Sequence, residues 1–378
     1  MDFRFSDEQQ LLQDNLRGFL AKHYGFEARR AALLSEAGRD PAIWRRLSQE
    51  LGLLGAGLPE AVGGIGGGPV ETMIVLEELG AALVVEPYLE TGVIGAGLLL
   101  RAGGDVAAAM LPRLIDGEAI LAFAGAEPAL RDSFGVPATH AVCEGGRWRL
   151  RGHKCMVSAA PWASHWLVSA RTGESGEAVS LFLVDAQTPG VSMQWVQRID
   201  GRRAAELRFD DAVLPQTALL CAAGAALPSL QQAGDEAVAA ICAEALGVLR
   251  RLLADTLDYS RERRQFGQPI ASFQALQHRM VDMHLHLEMA RSATLLATLS
   301  LDKPPRARAM AASAAKVTVG RACRFIGQNA VQLHGGMGMS EELALGSYFK
   351  RATAIEQEFG SVDHHLARHA RLDRAAAA

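Results

Sequence analysis

Two stretches of this chain carry residue types suited to gripping a phosphate-bearing ligand. Gln332 to Ser361 reads QLHGGMGMSEELALGSYFKRATAIEQEFGS, with Gly335, Gly336 and Gly338 in one turn and Gly360-Ser361 in a second. Glycine has no Cβ, so such a run lets backbone amides come close to a ligand. Upstream, Tyr259 to Gly267 reads YSRERRQFG. Arg263 closes a long helical pattern, where a cation gains from the helix dipole. Its planar guanidinium also matches phosphate oxygens. On the plain account this is a charged helix end, a Phe anchor and a glycine cap. On the functional account Arg263 clamps a pyrophosphate, Phe266 covers an adenine or ribose, and Gln265 donates a hydrogen bond.

Glu262, Arg263, Phe266, Gly267, Gln274, Asp282 and Met283 fall in register on E-R-x-x-F-G … Q … [DE]-M, and Gln332 to Gly338 fall on Q-[IVL]-x-G-G-x-G. Together they resemble the flavin-binding half of the acyl-CoA dehydrogenase family, and the likeness runs from about Asp2 to about Arg371. The resemblance implies FAD as cofactor. It implies that Arg263, Gln265, Phe266 and Gln274 touch FAD across a subunit boundary. Gln332, Gly335 and Gly336 would supply pyrophosphate and ribityl contacts to the partner's flavin. Earlier, Ala124-Gly125-Ala126-Glu127-Pro128 resembles the family's [FY]-C-[LVM]-T-E-P, with Ala126 for the Thr and ALRDS for the G-x-G-S-D that follows. Backbone amides around Phe123, Gly125 and Ala126 are then implied to hold the flavin pyrimidine edge. Gly152 to Ser158 resembles G-x-K-x-[WF]-I-[TS]. Met156 replaces the aromatic that shields the ring, as a soft, polarizable substitute. Ser158 stands where a hydroxyl approaches flavin N5; read as a plain strand end, it carries no chemistry. Ser361, on the family's Thr, is implied as a further flavin contact.

The reaction the resemblance implies is α,β-dehydrogenation of an acyl-CoA thioester, with proton abstraction at Cα and hydride passing from Cβ to flavin N5. Electrons would then go to an electron-transfer flavoprotein. Such a site needs donors that strengthen on a developing enolate oxygen. It also needs a carboxylate whose pKa is raised by a dry pocket. The family's usual base position falls on Phe359, with Gly360 and Ser361 matching the residues after it. The Phe359 backbone N–H can still polarise the thioester. Glu358 is one residue away, and because either Lys350 or Arg351 can occupy the family's Arg, a one-residue slip would restore it. A second family position for the base falls on Ala237. Glu236 beside it is offset by about 100° on an ideal helix, and it also reads as an acidic first-turn residue favourable to the dipole. Glu244 reads as a buried partner for an arginine. Three explanations stay open: Glu358 through a rearranged turn, another base, or one subunit of a paired enzyme. The ending FGSVDHHLARHA resembles the smaller partner of two-subunit dehydrogenases of the pimeloyl-CoA or sterol-side-chain type. In that stretch His364 and His365 read as a solvated helix start. The alternative to catalysis is a silent subunit that completes a partner's FAD site. The assembly expected is a homo-oligomer (dimer or tetramer) or a hetero-oligomer with a second acyl-CoA dehydrogenase chain. Nitroalkane or N-oxygenation chemistry on the same fold also stays open.

The elements that must position these residues follow from periodicity. Ser6 with Gln9 signals a capping box, and Leu12, Leu16, Phe19 and Leu20 repeat at helical spacing. Helical patterns return at Ile43–Leu53, Val70–Leu83 and Glu90–Asp116, with a glycine-rich loop at LPEAVGGIGGGPV. From about residue 119 short β-rich runs take over, with Gly145-Gly146 as a hairpin signal. From Leu227 the pattern is helical again. The fold class expected is α+β, with an N-terminal all-α domain (1–117), a middle antiparallel β-barrel or sandwich (118–224) and a C-terminal four-helix bundle (225–378). The 378 residues are 49% hydrophobic and 21% charged, ordinary for a globular enzyme. A net charge of −4 leaves no basic footprint for nucleic acid. Five scattered cysteines are not in metal spacing and read as reduced thiols in a cytoplasmic setting. The acidic, polar start is no signal peptide, and no apolar run is long enough for a membrane span.

Overall fold

The computed structural model describes residues 4–128, 134–173 and 178–374. The ALRDS segment at 129–133 lies outside the described residues. The first third is helical: α1 (Asp7–His23), α2 (Phe26–Leu34), α3 (Pro41–Arg45), α4 (Pro69–Ala81), α5 (Ala96–Ala102) and α6 (Gly104–Ile115). α1 starts as its sequence dictates. The Ser6 hydroxyl accepts from Gln9 N–H at 3.2 Å, and the Gln9 side chain accepts from Ser6 N–H at 3.0 Å. Two of the helix's orphan donors are thereby satisfied, while Leu16 and Leu20 turn inward.

Seven strands follow: β1 (Leu121–Ala124), β2 (His140–Glu144), β3 (Arg147–Ser158), β4 (His165–Arg171), β5 (Val179–Asp185), β6 (Val191–Gln197) and β7 (Arg203–Pro215). They form one sheet in the order β1-β4-β2-β3-β7-β6, with β5 on β4. Pairing is largely antiparallel, though β4 runs parallel to β1 and, at one residue pair, to β2. Gly145 and Gly146, both at positive φ, make the β2–β3 hairpin turn. β3 pairs with β7 along its length, but the register slips between Lys154 and Val157. A bulge of this kind bends a strand and re-aims its side chains.

The chain ends in α7 (Leu227–Glu262), a two-residue hairpin of β8 (Arg264–Gln265) and β9 (Gln268–Pro269), then α8 (Gln274–Thr298), α9 (Pro305–His334), α10 (Leu345–Gln357) and α11 (Val362–Arg374). Backbone packing divides the molecule into two compact units. One holds α1, α4 and α8 to α11 with α7 from Val238 onward; the other holds the sheet with α3, α5 and α6. In the helical unit α9 packs against α8, α10 and α11, presenting buried Ala312, Ala315, Val319, Ala322 and Ile326. α4 and α7 touch backbone to backbone. A Cβ on Gly80 would sit 2.1 Å from the Glu244 carbonyl oxygen, and one on Gly247 1.9 Å from that of Glu77. Only glycine fits there. α7 begins at Leu227, so Glu236 lies well inside the helix; the expectation that it serves the first turn is overturned.

Candidate functional site

In the sheet unit the residues that resemble flavin contacts gather where β1 and β3 end. Phe123 stacks on Phe134 with ring centroids 4.8 Å apart. Gly125 is buried, and the Ala126 carbonyl accepts from Cys155 N–H at 2.9 Å, tying the loop after β1 to β3. Beneath them Lys154, fully buried, donates to Glu127 at 2.8 Å and to the Ser169 hydroxyl at 3.2 Å. Glu127 also accepts from the backbone N–H groups of Ala138 and Thr139. Burial pushes the Lys154 ammonium down to about 8 against the pull of Glu127. Burial alone would raise the Glu127 carboxyl, but the Lys154 charge and hydrogen bonds outweigh it and hold it below its ordinary value. At neutral pH the pair is therefore charged, and a buried charged pair survives only with its remaining hydrogen bonds met.

Above this pair the bulge carries the strain. Met156 sits at φ +51 with half its surface exposed, and Ala159 at φ +62. Side chains other than glycine and asparagine avoid that region, and strain of this sort collects at functional sites. Between them the Ser158 hydroxyl accepts from Arg198 Nη1 at 3.1 Å.

In the helical unit the turn after α10 is fixed from three sides. Arg351, buried on α10, forms two hydrogen bonds to Glu244 on α7 (2.7 and 2.8 Å) and two to Glu358 (2.9 and 3.2 Å). Glu244 is thus the buried partner of an arginine, and Arg351, not the exposed Lys350, is the inward cation. The Lys316 ammonium donates to the carbonyls of Ile355, Glu356 and Gly360 at 2.8–3.0 Å, closing the C-terminus of α10. His365 Nε2 lies 2.9 Å from the Phe359 carbonyl. Burial drives the His365 pKa down to about 3, so the ring is neutral and Nε2–H is the donor. Its burial overturns the expectation of a solvated helix start. Phe359 is left at φ +55, and the Ser361 hydroxyl accepts from His364 N–H at 3.3 Å, capping α11. Glu358 closes α10 as its C-cap, with its carboxylate turned to Arg351. An oxygen that accepts from a guanidinium does not offer that lone pair to a Cα–H.

The other candidate base is also committed. Glu236 takes two hydrogen bonds from Arg101 (2.8 and 3.0 Å) and a third from Gln232.

The motif residues at the far end of the helices come together. Tyr259 stacks on His334 at 4.2 Å, and its hydroxyl reaches the His334 carbonyl at 3.4 Å. That contact sets the end of α7, with Arg263, beside the end of α9, with Gly335 and Gly336. Arg263, Gln265, Phe266, Gln274, Gln332, Gly335 and Gly336 are all exposed. Phe266 is 92% exposed at φ +52. A Cβ on Gly335 or Gly336 would meet no atom within 4 Å, whereas one on Gly338 would lie 2.7 Å from the Val331 carbonyl. The first two glycines face open space, as a cradle for a ligand must, and the third serves packing.

Family models for the N-terminal, middle and C-terminal domains of acyl-CoA dehydrogenases match residues 6–118, 122–212 and 230–371. The chain belongs to the acyl-CoA dehydrogenase family. Members of this family are oxidoreductases acting on CH–CH groups. Acyl-CoA dehydrogenase IpdE2 of Mycobacterium tuberculosis is 31% identical, over 93% of this chain and 92% of that protein. Among solved structures, a variant of the steroid ACAD Tcur3481-Tcur3483 superposes with a TM-score of 0.89 at 31% identity, covering 98% of this chain and 99% of that one. The ChsE4-ChsE5 complex of M. tuberculosis gives 0.90 at 28% identity, covering 100% and 99%. This acyl-CoA dehydrogenase-family chain departs from what its sequence suggested mainly in polar partners. Arg198, Lys316 and the double clamp of Arg351 join residues far apart in sequence, and no local pattern marks them.

Proposed function

We propose that the chain is the FAD-binding companion subunit of a two-chain acyl-CoA dehydrogenase, which desaturates a CoA thioester only when a second acyl-CoA dehydrogenase chain supplies the base. One observation carries this reading: Phe stands at position 359, and each candidate carboxylate is held at both of its oxygens by an arginine, Glu358 by Arg351 and Glu236 by Arg101. Two similar structures are named as two-component assemblies, and one of them is a steroid enzyme. A steroid-derived acyl-CoA is therefore the first substrate to test. The three modules, 1–117, 118–224 and 225–378, would divide the work into substrate enclosure, flavin seat and subunit contact.

The residues fit FAD. Phe123, Gly125, Ala126, Met156 and Ser158, all in the sheet unit, would seat the ring; Ser361, in the helical unit, is a separate candidate for a flavin contact. Arg263, Gln265, Phe266, Gln274, Gln332, Gly335 and Gly336 would grip the neighbouring chain's FAD. Their exposure together, in open space, suits a half-site that is completed by another subunit. FAD held there would supply the hydride acceptor, and an electron-transfer flavoprotein would be the onward electron carrier. Lys316 and His365 fix the carbonyls of the Phe359 turn, and the Phe359 backbone N–H would be the donor to a thioester oxygen. Among the described residues no helix is long and apolar enough to cross a membrane.

The test is expression alone and together with a second acyl-CoA dehydrogenase chain, followed by flavin absorbance and CoA-ester-dependent dye reduction. Turnover is expected only in the pair. Turnover by the isolated chain that vanishes in Glu358→Gln would make Glu358 the base and overturn the companion-subunit reading.

A further inference from the structure

We propose that Arg198 is a positioning residue that turns the Ser158 hydroxyl into a one-way donor and brings a positive charge to the edge of the flavin. The proposal rests on the flavin reading above and goes one residue further into the site.

The argument starts from proton counting. A guanidinium has donors and no acceptor, so at 3.1 Å Arg198 Nη1 can only give its hydrogen to Ser158 Oγ. One serine lone pair is then used, and the serine's own proton must point elsewhere. Among the described residues no atom accepts it. Ser158 is only partly buried, so that proton faces the open side of the strand end, flanked by the strained Met156 and Ala159. A hydroxyl fixed from behind by a cation, with its hydrogen aimed outward, suits an acceptor atom such as a flavin ring nitrogen. Hydrogen bonds in such a chain polarise one another.

Arg198 is itself held in place. It sits in a closed turn after β6: its N–H donates to the Arg202 carbonyl at 2.9 Å, and Gly201 N–H donates back to the Arg198 carbonyl at 3.0 Å. Gly201 has φ +86, a conformation that favours glycine. The Arg198 side chain is 11% exposed, and its Nε lies 3.9 Å from the fully buried Asp200 carboxylate. Asp200 is in turn anchored by Arg202 N–H at 3.2 Å. The carboxylate steadies the arginine's Nε side while Nη1 reaches the serine. Because the Asp200 carboxylate offsets part of this charge at longer range, the effect on a neighbouring flavin would run mainly through the polarised Ser158 hydroxyl. That donor would favour the electron-rich, reduced form.

The test uses the flavin-loaded protein, in complex with its partner chain if loading needs it. Arg198→Gln, Arg198→Lys, Ser158→Ala and the Arg198→Gln/Ser158→Ala double variant are compared by the midpoint potential and visible spectrum of bound FAD. Thermal unfolding of each variant controls for folding. We expect Arg198→Gln and Ser158→Ala each to lower the potential by about 30 mV, a tenfold change for a two-electron couple. Arg198→Lys should keep at least half of the wild-type value, and the double variant should shift less than the sum of the two. A Ser158→Ala shift with none in Arg198→Gln overturns the positioning role, as do fully additive shifts. Failure of every form to hold FAD, with or without a partner, overturns the flavin reading and this proposal with it. That outcome differs from flavin held at an unchanged potential.

Discussion

The strand end at Met156–Ala159 and the turn at Glu358–Ser361 are built alike and equipped differently. Each includes a non-glycine residue at positive φ, and each is held by a cation, Arg198 on Ser158 in the sheet unit and Lys316 on the turn carbonyls in the helical unit. At the strand end the group held is the Ser158 hydroxyl, which accepts from Arg198. At the turn Phe359 carries no ionisable group, and the neighbouring Glu358 carboxylate is bound to Arg351. The contrast teaches that rigidity and chemistry are separable: two turns can be held equally firmly and yet offer different groups. On the reading proposed above, the strand end would serve the flavin, while the turn would contribute its backbone N–H and no base.

The sharpest way to break that contrast is Phe359→Glu. If the turn lacks only its base, restoring a carboxylate should raise CoA-ester-dependent dye reduction by the flavin-loaded chain by about 10²- to 10⁴-fold, the usual worth of a positioned acid or base. No rise above background would mean the turn is unfit for catalysis in some other respect. Next in size is Arg351→Met, which strands Glu244 and Glu358 without their cation. Urea unfolding should show a loss toward the upper end of about 3–5 kcal/mol, and an unchanged midpoint would refute the clamp. Lys154→Met should cost about 3 kcal/mol, the lower end of the same range, because Glu127 keeps its two backbone donors.

The smallest effect is in pH. The folded His365 titrates near 3, below the ordinary 6.5, because burial disfavours its charged form. As pH falls below 6.5 the unfolded chain takes up that proton before the folded one. Stability should therefore fall with pH, by about 1.4 kcal/mol per unit down toward pH 3. His365→Gln should flatten that slope between pH 6.5 and 5, above most carboxylate titrations. Identical slopes would show that the ring is hydrated in solution.

Much of this was legible in the sequence, and the limits have a physical cause. The Ser6–Gln9 cap, the Gly145-Gly146 hairpin and the helix spans are local, so neighbouring residues specify them. The family motifs also carried the family itself, since glycines and a guanidinium at fixed spacing are hard to mistake. The partner of Glu244 could be named by type but not by number, because Arg351 lies 107 residues away. Glu236 was misread as a first-turn residue although the helical pattern was already legible from Leu227, with Pro228 in its first turn as a start signal. His365 looked solvated because a charged stretch gives no hint that Phe359 and Ser313 enclose one ring. Pairings across the chain belong to packing, and packing is where single-sequence reading ends.

The glycine contact between α4 and α7 has a consequence for how the protein is made. The backbone seat for Gly80 is the carbonyl of Glu244, and that for Gly247 is the carbonyl of Glu77. A ribosome delivers one side of each seat long before the other, on the order of ten seconds or more at ordinary synthesis rates. Until α7 emerges, α4 lacks the partner that seats its Gly80, and the seven strands made between α4 and α7 have time to pair first. Newborn chains should thus pass through a stage in which the sheet is ordered and the amino-terminal helices still await their mate, the point at which a chaperone has most to shelter.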